Sequence, residues 1–166
     1  MRLFAAVHFS MEAKASLLDA MDDLRRQADG NFTREENLHL TLAFIGETNN
    51  LKGAIAALER VEGAPFKLRL RGAGHFGDLW WAGLEKCPPL EKLADSTRRA
   101  LRKAGFPIEE RPFRAHVTLA RQVRPLGDGI FLRVHPAETR VTRLSLMKSE
   151  RIDGRLTYTE VWSKAL

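Results

Sequence analysis

Two short segments of the chain, LHLTLA at Leu38–Ala43 and AHVTLA at Ala115–Ala120, repeat one design. In each, apolar residues alternate with a histidine and a threonine that stand two positions apart. Successive side chains of a β-strand point to opposite faces, so the histidine and the threonine share one face and the apolar residues share the other. The pattern therefore predicts two half-buried strands that each present an imidazole beside a hydroxyl.

The segments that precede these motifs also resemble each other. A predicted strand at Arg2–Phe9 and a helix that ends at Gly30 come before the first motif. A predicted strand at Trp80–Leu84 and a helix that ends at Gly105 come before the second. A repeat of this kind predicts two similar lobes that face each other across a cleft.

Helix and strand signals predict the remaining elements. Ser10 is a typical N-cap for the first helix, which is expected to run to about Ala28. Pro88 and Pro89 stand where a third helix would begin, a position that tolerates proline. The other predicted elements are strands at Leu38–Ile45 (apolar face Leu38, Leu40, Leu42 and Phe44), Phe66–Arg71, Phe113–Ala120, Arg140–Lys148 and Leu156–Trp162, a helix at Leu51–Val61 and a turn at Asp153–Gly154.

We predict an α+β fold in a single two-lobed domain that spans residues 1–166. Alternating strands and helices are also compatible with a parallel sheet. The hairpin signal at Asp153–Gly154 favours antiparallel pairing instead. A hydrophobic content of 44% in 166 residues is ordinary for one globular domain with a core of its own.

The chain is basic, with a formal net charge of +6 and a pI of about 9.9. Arginine, which suits bidentate phosphate contacts, outnumbers lysine. This balance favours nucleic acid or nucleotides as partners, although a solvated basic surface would produce the same balance.

Cys87 is the lone cysteine, which excludes an internal disulfide and a cysteine-based zinc site. No stretch approaches the roughly 20 apolar residues of a membrane-spanning helix, and Leu3–Val7 is too short for the core of an export signal. We expect a cytoplasmic protein without a membrane association.

Two imidazoles facing one cleft suit in-line displacement at phosphorus. That reaction needs a base on the attacking oxygen and an acid on the leaving oxygen, and histidine serves as either near neutral pH. Thr41 and Thr118 would donate to the non-bridging phosphate oxygens as negative charge builds. Spacing alone leaves open which of His39 and His116 is the acid. A single His-x-Thr triplet would more readily indicate a half-buried histidine bonded to its threonine, whereas the pair favours catalysis.

Other catalytic classes lack their motifs. The chain has no HExxH or His-x-His spacing for a metal, no GxSxG elbow and no P-loop. The adjacent acids Asp22–Asp23 and Glu35–Glu36 fit solvated surface residues better than a carboxylate pair. We therefore expect no metal and no cofactor.

The chain resembles the two-histidine phosphoesterase superfamily, in particular the RNA 2′,3′-cyclic phosphodiesterases, also termed 2′-5′ RNA ligases. The resemblance covers nearly the whole chain and includes RLFAAVHF at the start and G-H-F followed by W-W-A-G-L near Trp80. It also includes NLHLTLAFIGE at Asn37–Glu47, RPFRAHVTLAR at Arg111–Arg121, and a tail from Leu144 to Trp162.

This resemblance implies two antiparallel sheets with flanking helices around a central cleft. It implies that His39 donates a proton to the leaving 3′ oxygen, that His116 accepts one from the attacking water, and that Thr41 and Thr118 hold the phosphate. The product would be a 2′-phosphate. Ligation would be the same chemistry with a 5′ hydroxyl in place of water, without ATP.

Four further residues are candidates for substrate contacts. Arg114 has the strand parity of His116, and Arg121 follows that predicted strand. Ser149 and Tyr158 lie in the family-like tail. Each of the two arginines is equally compatible with a solvated surface position.

The other histidines, His8, His75 and His135, lack a hydroxyl at the second following position, so we expect structural or surface roles for them. Trp80 and Trp81 are adjacent and should point to opposite faces of their strand. An exposed aromatic ring could stack on a base, but the sequence does not indicate which one.

The predicted activity is therefore that of a monomeric RNA 2′,3′-cyclic phosphodiesterase. One alternative is a two-histidine enzyme for a small cyclic nucleotide or an ADP-ribose cyclic phosphate. Another is a non-catalytic RNA-binding module, which would have no need of two titratable histidines.

Overall fold

Nine strands in two antiparallel sheets and three α-helices make up the computed structural model, which describes residues 1–166. The first sheet has the order β3-β1-β8-β9 and the second the order β2-β6-β5-β4-β7. The strands are β1 (Arg2–Val7), β2 (Ala28–Phe32), β3 (Leu40–Glu47), β4 (Phe66–Phe76), β5 (Leu79–Leu84), β6 (Val117–Pro125), β7 (Glu138–Val141), β8 (Arg143–Ile152) and β9 (Arg155–Ala165). The helices are α1 (Met11–Gln27), α2 (Leu51–Glu59) and α3 (Pro88–Lys103), and a short 3₁₀ helix spans Glu35–Asn37. The predicted α+β fold with two antiparallel sheets is confirmed.

Local signals explain where the helices begin and end. The Ser10 hydroxyl accepts a hydrogen bond from the Ala13 N–H at 3.2 Å, which satisfies one free donor of the first turn of α1. Pro88 opens α3, and Gly105 follows its end with a φ of +94°, a left-handed conformation that glycine adopts without strain. None of the three helices is both long enough and apolar enough to cross a membrane.

The predicted repeat is present, and its two copies interlock. In the first copy β1 pairs with β3, and Ala6 lies opposite Thr41. In the second copy β5 pairs with β6, and Trp81 lies opposite Thr118. Helix α1 of the first copy packs on β2, β6 and β7 of the second sheet, whereas α3 of the second copy packs on β3. Each helix thus covers the sheet of the other copy, and a shared apolar core joins both sheets.

Gly30 does not end the first helix, contrary to the sequence prediction. The helix ends at Gln27, and Ala28–Phe32 forms a strand that pairs with β6. A Cβ on Gly30 would lie 3.2 Å from the Arg121 carbonyl oxygen and from Val123. The glycine therefore permits close approach of two strands.

Two of the strand boundaries that differ from the prediction affect the site or the assignment of strands to sheets. The strand predicted at Phe113–Ala120 begins only at Val117, so His116 directly precedes it. The strand predicted at Arg140–Lys148 is divided between β7 in the second sheet and β8 in the first. A continuous apolar alternation does not reveal that the chain passes from one sheet to the other.

Phe44 was predicted to lie on the apolar core face of its strand, and this is wrong. The β1–β3 register places Thr41 opposite Ala6 but Ala43 opposite Ala5, so Leu42 is an extra residue in a bulge. A bulge reverses the side-chain alternation beyond it. Phe44 is consequently 63% exposed.

Trp80 and Trp81 point to opposite faces of β5, as predicted. The Trp80 ring stacks on His75 at 4.8 Å and packs beside a small apolar cluster. The Trp81 ring lies over Gly74 on the other face, where an added Cβ would come within 2.4 Å of the indole.

We predict that Gly74→Ala destabilises the fold by about 1–3 kcal/mol, because the Trp81 indole must move away from the new methyl group. Urea unfolding would measure the change. Gly127→Ala is the control, since a Cβ at Gly127 would meet no atom within 4 Å. Equal stabilities for the two variants would contradict the packing described for Trp81.

Candidate active site

His39 lies immediately before β3 and is held by the backbone that leads into that strand. Its Nδ1–H donates to the carbonyl oxygen of Asn37 at 2.7 Å. A carbonyl oxygen only accepts, so the proton of the neutral ring is on Nδ1 and Nε2 carries a lone pair. The Thr41 hydroxyl lies 2.7 Å from Nε2 and donates to it in this state. His39 and Thr41 therefore share one face, as the spacing predicts.

His116 repeats this geometry immediately before β6. Its Nδ1–H donates to the carbonyl oxygen of Arg114, also at 2.7 Å. The same tautomer follows, and Nε2 is left free for another partner. Thr118 is the second residue of β6 and is half-buried. The two motifs thus supply two imidazoles whose Nε2 atoms are available for proton transfer.

Aromatic rings surround the His39 imidazole. The Phe4 ring centre lies 4.8 Å away and the Tyr158 ring centre 5.1 Å away, the latter nearly perpendicular at 86°. Phe4 is only 4% exposed and packs with Ala6 and Met147. His39 is therefore held in a mostly apolar wall of the first sheet.

The surroundings of His116 are also aromatic but more open. The Phe76 ring lies 5.4 Å from the imidazole at an angle of 80°, and the Trp81 ring lies 5.3 Å from Phe76. Phe76 is 43% exposed. The two histidines thus have different environments although their hydrogen bonds are alike.

Burial lowers the pKa of the His39 imidazole to about 4. The hydrogen bond to the Asn37 carbonyl raises this pKa, but its effect is smaller than that of burial. The positive charges of His8, Arg121 and His116 lower this pKa further. In the unliganded protein His39 is therefore neutral at neutral pH. His8, Arg121 and His116 are thus close enough to His39 to affect its pKa.

The other predicted contact residues are divided between the site and its edge. Ser149 lies opposite Tyr158 in the β8–β9 pair, so both share the face that holds Phe4. Arg121 is exposed and close enough to Tyr158 to oppose the raising of its pKa, whose main cause is burial. Arg114 precedes β6, so the parity argument for its side chain fails; its carbonyl holds His116, and its side chain is exposed.

Asn37 is a site residue that the sequence prediction missed. Its side-chain amide donates to the Leu156 carbonyl at 2.9 Å and accepts from the Tyr158 N–H at 3.3 Å. Its own carbonyl accepts from His39. Asn37 is 5% exposed and thus fastens the approach to β3 onto β9 while it orients the imidazole. Its position two residues before the motif histidine could have marked it as a site residue. Its side-chain partners could not be predicted, because they lie more than 100 positions away in the sequence.

His8 was predicted to have a structural role, and the structure gives it partners on β8 and β9. Its Nε2 lies 3.1 Å from the Ser145 hydroxyl, which itself donates to the Glu160 carboxylate. Burial, followed by the nearby Arg143 guanidinium, lowers the pKa of His8. His8 is close enough to His39 to affect its pKa. Sequence could not join these groups, because 137 positions separate His8 from Ser145.

No group of three or more His, Cys, Asp and Glu side chains is placed to hold a metal ion. Two imidazoles in matched tautomers, each with a threonine two residues on, define a phosphoesterase of the two-histidine class.

The chain belongs to the 2′-5′ RNA ligase superfamily, whose family model matches residues 13–153. It is similar to the RNA 2′,3′-cyclic phosphodiesterase of Thermotoga maritima, with 34% identity over 131 residues that cover 73% of this chain and 70% of the relative. It is also similar to the RNA 2′,3′-cyclic phosphodiesterase of Escherichia coli, with 29% identity over 176 residues that cover 99% and 96% of the two chains.

Solved structures agree with this assignment. The crystal structure of E. coli LigT complexed with 3′-AMP superposes with a TM-score of 0.89 at 29% identity and covers 99% of this chain and 97% of LigT. A crystal structure described as a phosphoesterase gives a TM-score of 0.86 at 27% identity, with 99% and 97% of the two chains covered. The two-sheet fold is thus that of LigT.

We predict that Asn37→Ala frees the His39 ring from its single tautomer. Loss of the two side-chain bonds to β9 would let the Asn37 carbonyl move. Some molecules would then carry the imidazole proton on Nδ1 and others on Nε2. Nitrogen NMR should detect mainly the Nδ1–H form in the native protein and a mixture in the variant. Asn31→Ala, which removes an exposed amide bonded to Gln122, is the control. An unchanged tautomer in Asn37→Ala would show that the amide does not orient His39.

Proposed function

We propose that this protein is an RNA 2′,3′-cyclic phosphodiesterase that hydrolyses a terminal cyclic phosphate to a 2′-phosphate. The observation that carries the proposal is the pair of histidines, each held by a 2.7 Å bond from Nδ1 to a carbonyl. Membership of the 2′-5′ RNA ligase superfamily and the curated relatives support RNA as the substrate.

In the proposed reaction a water molecule attacks phosphorus, and the Nε2 atom of His116 accepts its proton. The bond from phosphorus to the 3′ oxygen breaks, and His39 donates a proton from Nε2 to that oxygen. One proton enters His116 and one leaves His39, so the two rings exchange protonation states during the step. The assignment of donor and acceptor follows the family resemblance.

The threonine hydroxyls stabilise the phosphate in this scheme. In the free protein the Thr41 hydroxyl is bonded to Nε2 of His39. Protonation of Nε2 ends its capacity to accept, which frees Thr41 to donate to a phosphate oxygen. Thr118 has the matching position beside His116. Hydrogen bonds that are preorganised toward developing charge are a large contribution to catalysis.

Arg121 would supply positive charge to the phosphate, because it lies near His39 and is exposed. Ser149 and Tyr158 share the face that holds Phe4, which supports contacts of these two residues with the ribose or the phosphate. We assign Arg114 a weaker contact to the RNA backbone at the edge of the cleft, since its side chain is exposed.

His39 must gain a proton before it can act as the donor. Its pKa of about 4 in the free protein results from burial and from positive neighbours. A phosphate anion in the cleft would oppose the effect of those positive charges and favour the imidazolium form. Substrate binding would thus charge the catalytic acid, and the proton would be taken up with the anion.

Ligation would follow the same path with a 5′ hydroxyl in place of water. The cyclic diester supplies the driving force, so ATP is not required.

All residues of the scheme come from one chain, which supports a monomer as the active unit. The free Cys87 and the RNA substrate support a cytoplasmic location.

We predict that His39→Ala and His116→Ala each lower turnover at least ~100-fold, the low end for a positioned acid or base. Because the pair acts as a unit, the double variant should be far less than multiplicatively worse. Thr41→Ala and Thr118→Ala should cost less, since proton transfer is intact. The measurement is hydrolysis of RNA that ends in a 2′,3′-cyclic phosphate, with EDTA and without ATP.

His135→Ala is the histidine control for these variants, since its backbone carbonyl accepts from Ser16 and its ring has no role in the scheme. It should retain native turnover, and the product should be the 2′-phosphate isomer. A 3′-phosphate product, or near-native rates for folded His39→Ala and His116→Ala, would refute the mechanism. Hydrolysis confined to mononucleotide cyclic phosphates would favour a small cyclic nucleotide as the substrate.

We predict that a nucleoside 2′-phosphate raises the pKa of His39 from about 4 toward or above its ordinary value of 6.5. At pH 6 the ring is neutral in the free protein, and it should be protonated in the complex because the anion favours the charged form. Titration of the ring carbon signals by NMR would measure this. The ring of His75, stacked on Trp80 at the opposite face, is the internal control. A His39 that stays neutral in the complex would contradict the proposed uptake of a proton with the anion.

A further inference from the structure

The two halves of the cleft differ at one equivalent position of the repeat. Ala6 lies opposite Thr41 in the first copy, and Trp81 lies opposite Thr118 in the second. Side chains directly opposite in an antiparallel pair share a face. The His116 side of the cleft therefore contains a large ring where the His39 side contains a methyl group.

Trp81 supports a second ring, Phe76, and we name these two residues the aromatic shelf. Phe76 is the last residue of β4, and its ring contacts the indole at 5.3 Å and the His116 imidazole at 5.4 Å. It is 43% exposed, whereas Phe4, the phenylalanine beside His39, is 4% exposed. The shelf thus offers an accessible apolar ring surface directly beside one histidine.

Glycines make room for the Trp81 ring of the shelf, which packs closely against them. A Cβ on Gly74 would lie 2.4 Å from the indole, and a Cβ on Gly83 would lie 3.3 Å from it. The Trp81 indole N–H is buried and bonded to no acceptor, so no hydrogen bond of its own orients the ring. A fixed aromatic surface loses little conformational entropy when a planar group stacks on it.

In-line geometry determines what reaches the shelf, given the proposed function on which this step rests. The attacking and leaving oxygens lie on opposite sides of phosphorus, and His39 serves the ribose 3′ oxygen. His116 therefore serves the other oxygen, which belongs to water in hydrolysis and to a nucleoside 5′ hydroxyl in 2′-5′ bond formation. A group beside His116 meets the nucleoside that carries the 5′ oxygen.

We propose that the aromatic shelf is the binding site for the base of that 5′-linked nucleoside. In cleavage of a 2′-5′ linkage the 3′ hydroxyl attacks phosphorus and gives its proton to His39. The bond from phosphorus to the 5′ oxygen breaks, and His116 protonates that oxygen. The products are a 2′,3′-cyclic phosphate and a 5′ hydroxyl. Phe76 stacks on the base of the departing nucleoside. It therefore favours reactions in which the oxygen beside His116 belongs to a nucleoside 5′ hydroxyl over reactions in which it belongs to water.

The test compares two reactions of one enzyme. The first is cleavage of a 2′-5′-linked dinucleotide, and the second is hydrolysis of the cyclic phosphate that this cleavage produces. Base stacking on an aromatic ring corresponds to about 5- to 150-fold in affinity. Phe76→Ala should therefore lower kcat/KM for cleavage at least ~5-fold more than it lowers kcat/KM for hydrolysis.

A dinucleotide whose 5′-linked sugar lacks its base supplies the decisive comparison. Native enzyme should cleave it poorly, and Phe76→Ala should make little further difference, because the stacking partner is already absent. Phe76→Leu should behave like Phe76→Ala, whereas Phe76→Tyr should retain the native ratio. Phe131→Ala is the control, since Phe131 is 75% exposed and contacts Gln27 at the end of α1 through its backbone.

Four results would overturn the shelf assignment. They are an unchanged ratio in Phe76→Ala, an equal loss on the abasic dinucleotide, a Phe76→Tyr variant as impaired as Phe76→Ala, and a native enzyme that hydrolyses the cyclic phosphate but leaves 2′-5′ linkages intact. A native enzyme that hydrolyses no cyclic phosphate would instead contradict the proposed function, so the two failures are distinguishable.

Discussion

The hydrogen bond from a histidine Nδ1 to the carbonyl two residues earlier is the interaction on which the site depends. It occurs twice, from His39 to Asn37 and from His116 to Arg114, at 2.7 Å in both. Both histidines directly precede a strand, so these carbonyls are available to the rings. The bond selects one tautomer, directs Nε2 away from the backbone, and makes that atom available for proton transfer.

The repeat builds two equal hydrogen bonds in two unequal environments. The rings of Phe4 and Tyr158 lie beside His39, and burial lowers its pKa to about 4. His116 lies beside the exposed Phe76. Its Nδ1–H donates to the carbonyl of Arg114, a residue whose side chain is exposed. In the free protein, burial disfavours the imidazolium form of His39, so the donor role proposed for it needs an anion that restores the proton.

Sequence reasoning succeeded where the relevant interaction is local. The shared face of His39 and Thr41 and the Ser10 cap were predictable, because each depends on residues two or three positions apart. It failed at Phe44, where a bulge reverses the alternation, and at Gly30, where a neighbouring strand requires the missing side chain. Parity does not apply to Arg114, because the strand starts three residues later.

The two motifs, their repeat and the chemistry of paired imidazoles follow from the order of residues alone, because strand periodicity places neighbours on one face without reference to the rest of the chain. Which distant groups surround each ring depends instead on how the sheets and helices pack. The bond from Asn37 to β9, the contact of His8 with Ser145 and the position of Phe76 beside His116 join residues far apart in the chain. The lowered pKa of His39 belongs to this second category, since desolvation and neighbouring charge exist only once the two sheets have come together.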